Sequence, residues 1–390
     1  MKDKFRLLLL QTLALALPFV IAACSGSDDD STPDTPTPPV TERTTHGIVF
    51  YLMGSGTGLE SFMDENVRRV VETATRLVSD SNKIAIFYDR GTSTQLMEVK
   101  KIDGRTVKVV AKEWNPSATS SADPEFMANA LKEARQLLGT DTYGLVVSSH
   151  GGGWVPSGIF DLYLTDTRQT RFIGQDGNDY METPQMARAM EAAGKWDYLL
   201  FDACFMSSVE ALYDFRHAAD YIVASPSEVL GAGFPYPQVL PLLFTPGHSL
   251  AGVCQAYMES YKNSSATIAL VRTDKLDALA MAMKGVLANG GTADPSQLQG
   301  YEGFQPHLYF DLRQYAHALA TDTRAFDQAL AEAVVYAAHT PTIYTDYGPL
   351  KGNITMDECC GVTCHVKTDK FPATHAAFLE TEWAQAIGAK

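Results

Sequence analysis

Leu145-Val146-Val147-Ser148-Ser149, running into His150-Gly151-Gly152-Gly153-Trp154, reads as a short buried strand that stops at a histidine and a glycine-rich turn. About fifty residues on, the apolar run 196–201 stops in the same manner at Asp202-Ala203-Cys204, ahead of a helical pattern. Working outward, the pattern of strand and amphipathic helix repeats. Residues 48–53 form a buried-type run, and the next segment sets Phe62, Val67, Val70, Val71, Ala74 and Leu77 on one helical face. Residues 83–88 read as a strand, and 97–102 pairs with 106–111 as a hairpin across Asp103-Gly104. A helix over 125–138 leads into the strand that ends at His150. Thr183 is expected to cap a helix with Pro184 at its first position. Strands follow at 221–224 and 266–271, the latter closing the series, with the rest mostly helical. Such alternation predicts an α/β fold with a mostly parallel sheet covered on both faces, its chemistry beyond the carboxyl ends of the strands.

His150 and Cys204 are the residues to inspect at those ends. A thiol just before a helix N-terminus has its thiolate stabilised by unpaired backbone amides. A neighbouring imidazole can hold the proton and return it to a leaving amine. The backbone N–H groups of Gly151 and Cys204 are candidate oxyanion donors.

An apolar strand into His-Gly, then a second into Asp-x-Cys, resembles the signature of the clostripain family of cysteine peptidases, part of the caspase-like group. The resemblance runs from Gly47 to the C-terminus. It implies a caspase-like αβα sandwich with helical C-terminal additions, an endopeptidase acting on proteins or peptides, Cys204 as nucleophile and His150 as general acid/base. Asp202 matches the family's acid two residues before the nucleophile. Ser225-Pro226-Ser227-Glu228-Val229-Leu230-Gly231-Ala232-Gly233-Phe234 is similar to the family's Ser-Glu stretch, in which an Asp between the glycines forms the base of the S1 pocket of members cutting after Arg or Lys. Ala232 stands there in this chain, so basic preference at P1 is expected to be weakened unless Glu228 replaces the acid. Relatives mature by cutting between the His and the Cys, which makes Arg168 and Arg171 the candidate sites. No cofactor is required by this chemistry, but some relatives use calcium, and Asp176, Asn178, Asp179 and Glu182 form an oxygen-rich loop of the right chemical type.

Lys2, Lys4 and Arg6 ahead of the apolar run 7–22 read as a signal peptide. Its end, Ile21-Ala22-Ala23-Cys24, resembles a bacterial lipobox, so Cys24 is the expected lipidation site of an outer-membrane, surface-exposed lipoprotein. The expected organisation is a signal over 1–23, an acidic and Pro-Thr-rich tether over 24–45 and a peptidase domain over 46–390. Composition and length, 390 residues with 45% hydrophobic and 20% charged, fit one large α/β domain or two smaller ones. With 31 Lys+Arg against 46 Asp+Glu, a formal charge of −15 repels phosphate backbones and argues against nucleic acid as a partner. Six cysteines are too few for a disulfide scaffold.

Other chemistries compete. Gly247-His248-Ser249-Leu250-Ala251 resembles the nucleophile elbow of a serine esterase, with Asp274 or Asp277 and His307 or His317 as partners. Against it, Pro246 interrupts any preceding strand, and Ser249 fits the N-cap of a helix through Tyr261. Gly54-Ser55-Gly56-Thr57-Gly58 reads as a turn, since the third glycine of a dinucleotide fingerprint falls on Leu59. Cys359, Cys360 and Cys364 suit a local disulfide or free thiols better than zinc. A surface homologue that only binds is the remaining alternative.

Overall fold

The structure is a computed structural model that describes residues 44–160 and 174–390. Its strands in chain order are β1 (His46–Met53), β2 (Asn82–Asp89), β3 (Thr94–Ile102), β4 (Arg105–Trp114) and β5 (Thr142–Ser148). There follow β6 (Gln175–Asp176), β7 (Asp179–Tyr180), β8 (Trp196–Asp202), β9 (Ala219–Ala224) and β10 (Thr267–Arg272). The series closes with β11 (Phe310–Asp311), β12 (Val334–His339), β13 (Thr342–Thr345), β14 (Gly352–Thr355) and β15 (Thr363–Cys364). Among the described residues nine strands form one sheet, in the order β12-β10-β9-β8-β5-β1-β2-β3-β4. Its centre, from β2 to β9, is parallel, while β10 and β12 on one flank and β3 on the other run antiparallel to their neighbours.

β1 shows why the centre is parallel. All eight of its residues are buried, with no polar face to spare for solvent. Val49, Tyr51 and Met53 join the core beneath the helices Pro124–Leu138 and Thr183–Ala192, while Ile48, Phe50 and Leu52 join the core beneath Glu60–Ala74 and Tyr236–Leu243. One strand therefore feeds two apolar layers with alternate residues, as its period of two requires.

Three local expectations need correction. The region after β10 is not mostly helical: β12 extends the main sheet and β13–β14 form a hairpin, so the C-terminal additions are mixed. Val334, Val335 and Tyr336 favour a strand there, but the stretch is short and half-buried and yields no clear period. Glu182, not Thr183, is the N-cap of Thr183–Ala192, because it forms a reciprocal capping box with Gln185. Finally, β8 does not run straight into a helix. After Cys204 the chain turns through Phe205 at φ 62, and Phe205 and Ser207 donate backbone N–H groups to Ser227 and Ser225. The helix begins only at Val209.

Candidate active site

Register brings the two candidate reacting residues together. In the β5–β8 pair, Ser148 lies opposite Asp202. His150 and Cys204 are each two residues beyond that position, on parallel neighbours about 4.8 Å apart. Both line an open cleft of about 920 Å³ at the carboxyl edge of the sheet.

The turn after β1 fixes the imidazole. His150 Nε2 is 2.9 Å from the Thr57 carbonyl oxygen, which can only accept. Nε2 therefore carries the hydrogen, and Nδ1 is the nitrogen that exchanges a proton within the cleft. This gives Gly54–Gly58 its purpose. Gly56 and Gly58 adopt φ of 67 and 76, and the loop they permit presents the Thr57 carbonyl to the histidine. Sequence reading identified the turn and missed its use.

Cys204 is 9% exposed, and its sulfur accepts a hydrogen bond from the Val229 N–H at 3.3 Å. That amide takes the place of the helix terminus expected from sequence, since a donor to sulfur favours thiolate over thiol. Gly151 packs on the nucleophile's backbone: a Cβ there would meet Cys204 O at 2.3 Å and Cys204 N at 2.9 Å. Only glycine allows the loop after His150 to come this close. Two neighbouring contacts hold that loop, Tyr309 Oη donating to Gly152 O and Thr183 Oγ1 donating to Gly153 O.

Asp202, Glu228 and Asp346 all belong to the cleft wall, and no Lys or Arg does among the described residues. Asp202 is buried, 6% exposed, and accepts from the Tyr236 hydroxyl at 2.8 Å and the Phe234 N–H at 3.4 Å. Burial outweighs these two donors and pushes its carboxyl up to about 6. Glu228 is committed elsewhere: its carboxylate accepts from Thr345 Oγ1 at 2.6 Å and the Asp346 N–H at 3.1 Å, tying the end of β13 to the cleft. Ala232 is exposed at the tip of a turn closed by Gly233 N–H to Leu230 O. The wall is formed by Val229, Leu230 and Gly231 of that segment and not by Ala232. Tyr344 of β13 and Tyr347 just after it, which the sequence did not single out, complete it.

Other candidates fall apart or fall elsewhere. Ser249 has φ −80 at the start of Leu250–Tyr261, preceded by a helix and not by a strand, so no strained nucleophile elbow exists there. His307 and His317 are engaged by Glu302 O and Asp327. The oxygen-rich loop does not gather around one point: Asp176 accepts from Ser121, Glu182 accepts from Ser157, and Asp179 is exposed. A calcium ion needs six or more converging oxygens, and these residues do not fit it. Cys359, Cys360 and Cys364 are free thiols. Cys24, Arg168 and Arg171 lie outside the described residues.

Comparison with known proteins gives consistent results. The model of the clostripain family matches residues 50–345. Clostripain of Hathewaya histolytica is 23% identical over 194 residues, 47% of this chain but 36% of that protein, so the match spans about a third of the curated relative. The crystal structure of a secreted cysteine protease from Bacteroides thetaiotaomicron, in complex with an irreversible peptide inhibitor, superposes with a TM-score of 0.78. It is 26% identical and covers 88% of this chain and 98% of that one. An inactive zymogen protease from Parabacteroides distasonis gives the same TM-score at 27% identity and the same coverage.

Proposed function

The chain belongs to the clostripain family, and from that premise we propose that it is a cysteine endopeptidase with Cys204 as nucleophile and His150 as acid and base. The observation that carries this reading is the shared register of β5 and β8, which ends both strands at one cleft with the imidazole tautomer already fixed. His150 Nδ1 takes the thiol proton, and the sulfur attacks the scissile carbonyl. The N–H groups of Gly151 and Cys204, on backbone segments in direct contact, receive the developing oxyanion. Nδ1 then protonates the leaving amine, and a water activated by the same nitrogen hydrolyses the thioester.

Cys204→Ala and His150→Ala are each expected to lower peptide hydrolysis by about 10³-fold or more while leaving the melting temperature within a few degrees. A serine esterase would survive thiol alkylation, and a binding homologue would show no turnover at all. Full activity in either variant overturns the mechanism.

Export completes the proposal. The relatives named above include a secreted protease, and the lipobox at Cys24 fits anchoring to the outer membrane through lipid. No helix of the described residues is long and apolar enough to cross a membrane. Cys24→Ala is expected to move the protein from the membrane fraction to the soluble one.

A further inference from the structure

The buried stripe of the helix Glu60–Ala74 consists of Met63, Val67, Val70 and Ala74, with Asn66 as its one polar member. The sheet beneath presents a second polar residue to the same layer. Side chains alternate along a strand, so Val146 and Ser148 of β5 face this helix, and Leu200 and Asp202 of β8 do the same. Ser148 lies opposite Asp202 in register. Asn66 and Ser148 are each 7% exposed, and with Asp202 they line the cleft that holds the nucleophile. Leu59, Phe62 and Met63, the preceding residues on the cleft side of the helix, bring apolar surface to the same wall.

Buried amides and hydroxyls ordinarily have hydrogen-bond partners, because leaving one without a partner costs stability. Asp202 has two, the Tyr236 hydroxyl and the Phe234 N–H. Among the described residues, the Asn66 side chain and the Ser148 hydroxyl have none. The protein does not supply one from below. Both residues border a small hollow of about 260 Å³ whose other walls include Phe50, Leu52, Val67 and Ile86. The one other polar group there, the Tyr236 hydroxyl, already donates to Asp202. The remaining direction is the cleft. An apolar side chain at position 66 would continue the buried stripe without this cost, so the fold alone does not explain the amide.

We propose that Asn66 and Ser148 bind the polar head of the substrate's P1 side chain beside Asp202, selecting heads that offer N–H donors. This rests on the peptidase reading above and adds two specificity residues to it. The stem of a long, unbranched side chain lies against Phe62 and Met63. Its terminal N–H groups meet three acceptors, Asn66 Oδ1, Ser148 Oγ and the Asp202 carboxyl. Two of these carry no charge, so an amide head is received as well as an ammonium. A methyl-ended chain of the same length leaves Asn66 and Ser148 unpaired in apolar surroundings, and a site built on hydrogen bonds rejects such an analogue.

Four-residue fluorogenic peptides that differ only at P1, with Lys, Gln or Met there, test this on the purified chain. In the parent, kcat/KM is expected to be about tenfold higher for Gln than for Met, and higher still for Lys. Glutamine carries no charge, so the Gln-to-Met ratio reads hydrogen bonding apart from the charge of Asp202. Asn66→Leu keeps the size of the amide without its hydrogen bonds and should bring that ratio close to one, while Ser148→Ala should lower it about threefold. Asn66→Leu also removes a buried polar group that lacks a partner, so its melting temperature should stay level or rise. Ratios unmoved by both substitutions, or a parent indifferent to Lys, Gln and Met, overturn the proposal. So does a melting temperature lowered by several degrees in Asn66→Leu with all three peptides slowed alike, which marks a structural role. No turnover of any peptide by the parent would instead bring down the peptidase reading, and this proposal with it.

Discussion

Burial strips Asp202 of water, and its two donors restore only part of what is lost, so the carboxyl titrates at about 6 and not near 3.8. In a cleft whose described lining carries three carboxylates and no Lys or Arg, that titration is expected to govern how a cationic P1 side chain is received. Cleavage after Arg or Lys, relative to cleavage after a neutral residue of similar size, is expected to rise several-fold as pH increases through about 6. Taking the ratio cancels the titration of Cys204 and His150. In Asp202→Asn the ratio should be flat with pH, and a wild type with a flat ratio would remove Asp202 from the specificity pocket. His150, Cys204, Gly151 and Asp202 were legible in the sequence because strand termini in a parallel sheet are marked by an apolar run that stops at polar residues. The Thr57 carbonyl and the Val229 N–H were not, because a backbone group carries no side-chain signature. Ala232 was reached by analogy with a motif, and the turn at Gly231–Gly233 takes it out of the wall.

The hairpin of β13 and β14 brings Tyr344, Asp346 and Tyr347 to the cleft, and Glu228 is the residue that holds it there. Glu228→Ala removes both anchoring bonds, and KM is expected to rise about five- to tenfold with kcat changed less. The associated loss of stability should be about 1–3 kcal/mol. Glu228→Gln keeps an acceptor oxygen for Thr345 and Asp346 and should restore most of the KM. An equal loss in both variants would mean that the charge of Glu228 meets substrate directly. This hairpin was hidden from sequence reading for a physical reason. Its strands are four residues each, partly exposed, and owe their conformation to Glu228 and Ser265, which are distant in the chain. The central strands were easy by contrast, because burial on both faces forces an unbroken apolar run.

Several ionisable groups in the folded chain are buried in their neutral forms, and together they set the pH range of the whole molecule. Desolvation raises Asp202 to about 6, Asp214 to about 7 and Glu210 to about 8. Each contributes stability that is complete below its unfolded value and is lost as pH rises through its folded one. Desolvation lowers His365 to about 3, so its contribution is present above 6.5 and is lost as pH falls toward that value. Three such carboxyls outweigh the one histidine above about pH 5, so the melting temperature is expected to fall by several degrees from pH 5 to pH 9, as scanning fluorimetry can read. A curve flat or rising from pH 6 to 9 would show that these carboxyls are solvated. A different consequence follows from the register of β5 against β8. The chain joining these strands runs between His150 and Cys204 in sequence, so a cut within 161–173 leaves His150 on one fragment and Cys204 on the other. Strand pairing and the Thr183–Gly153 hydrogen bond cross that divide. The two fragments, made from separate reading frames in one cell, should reconstitute activity by complementation, as neither half contains a working centre alone.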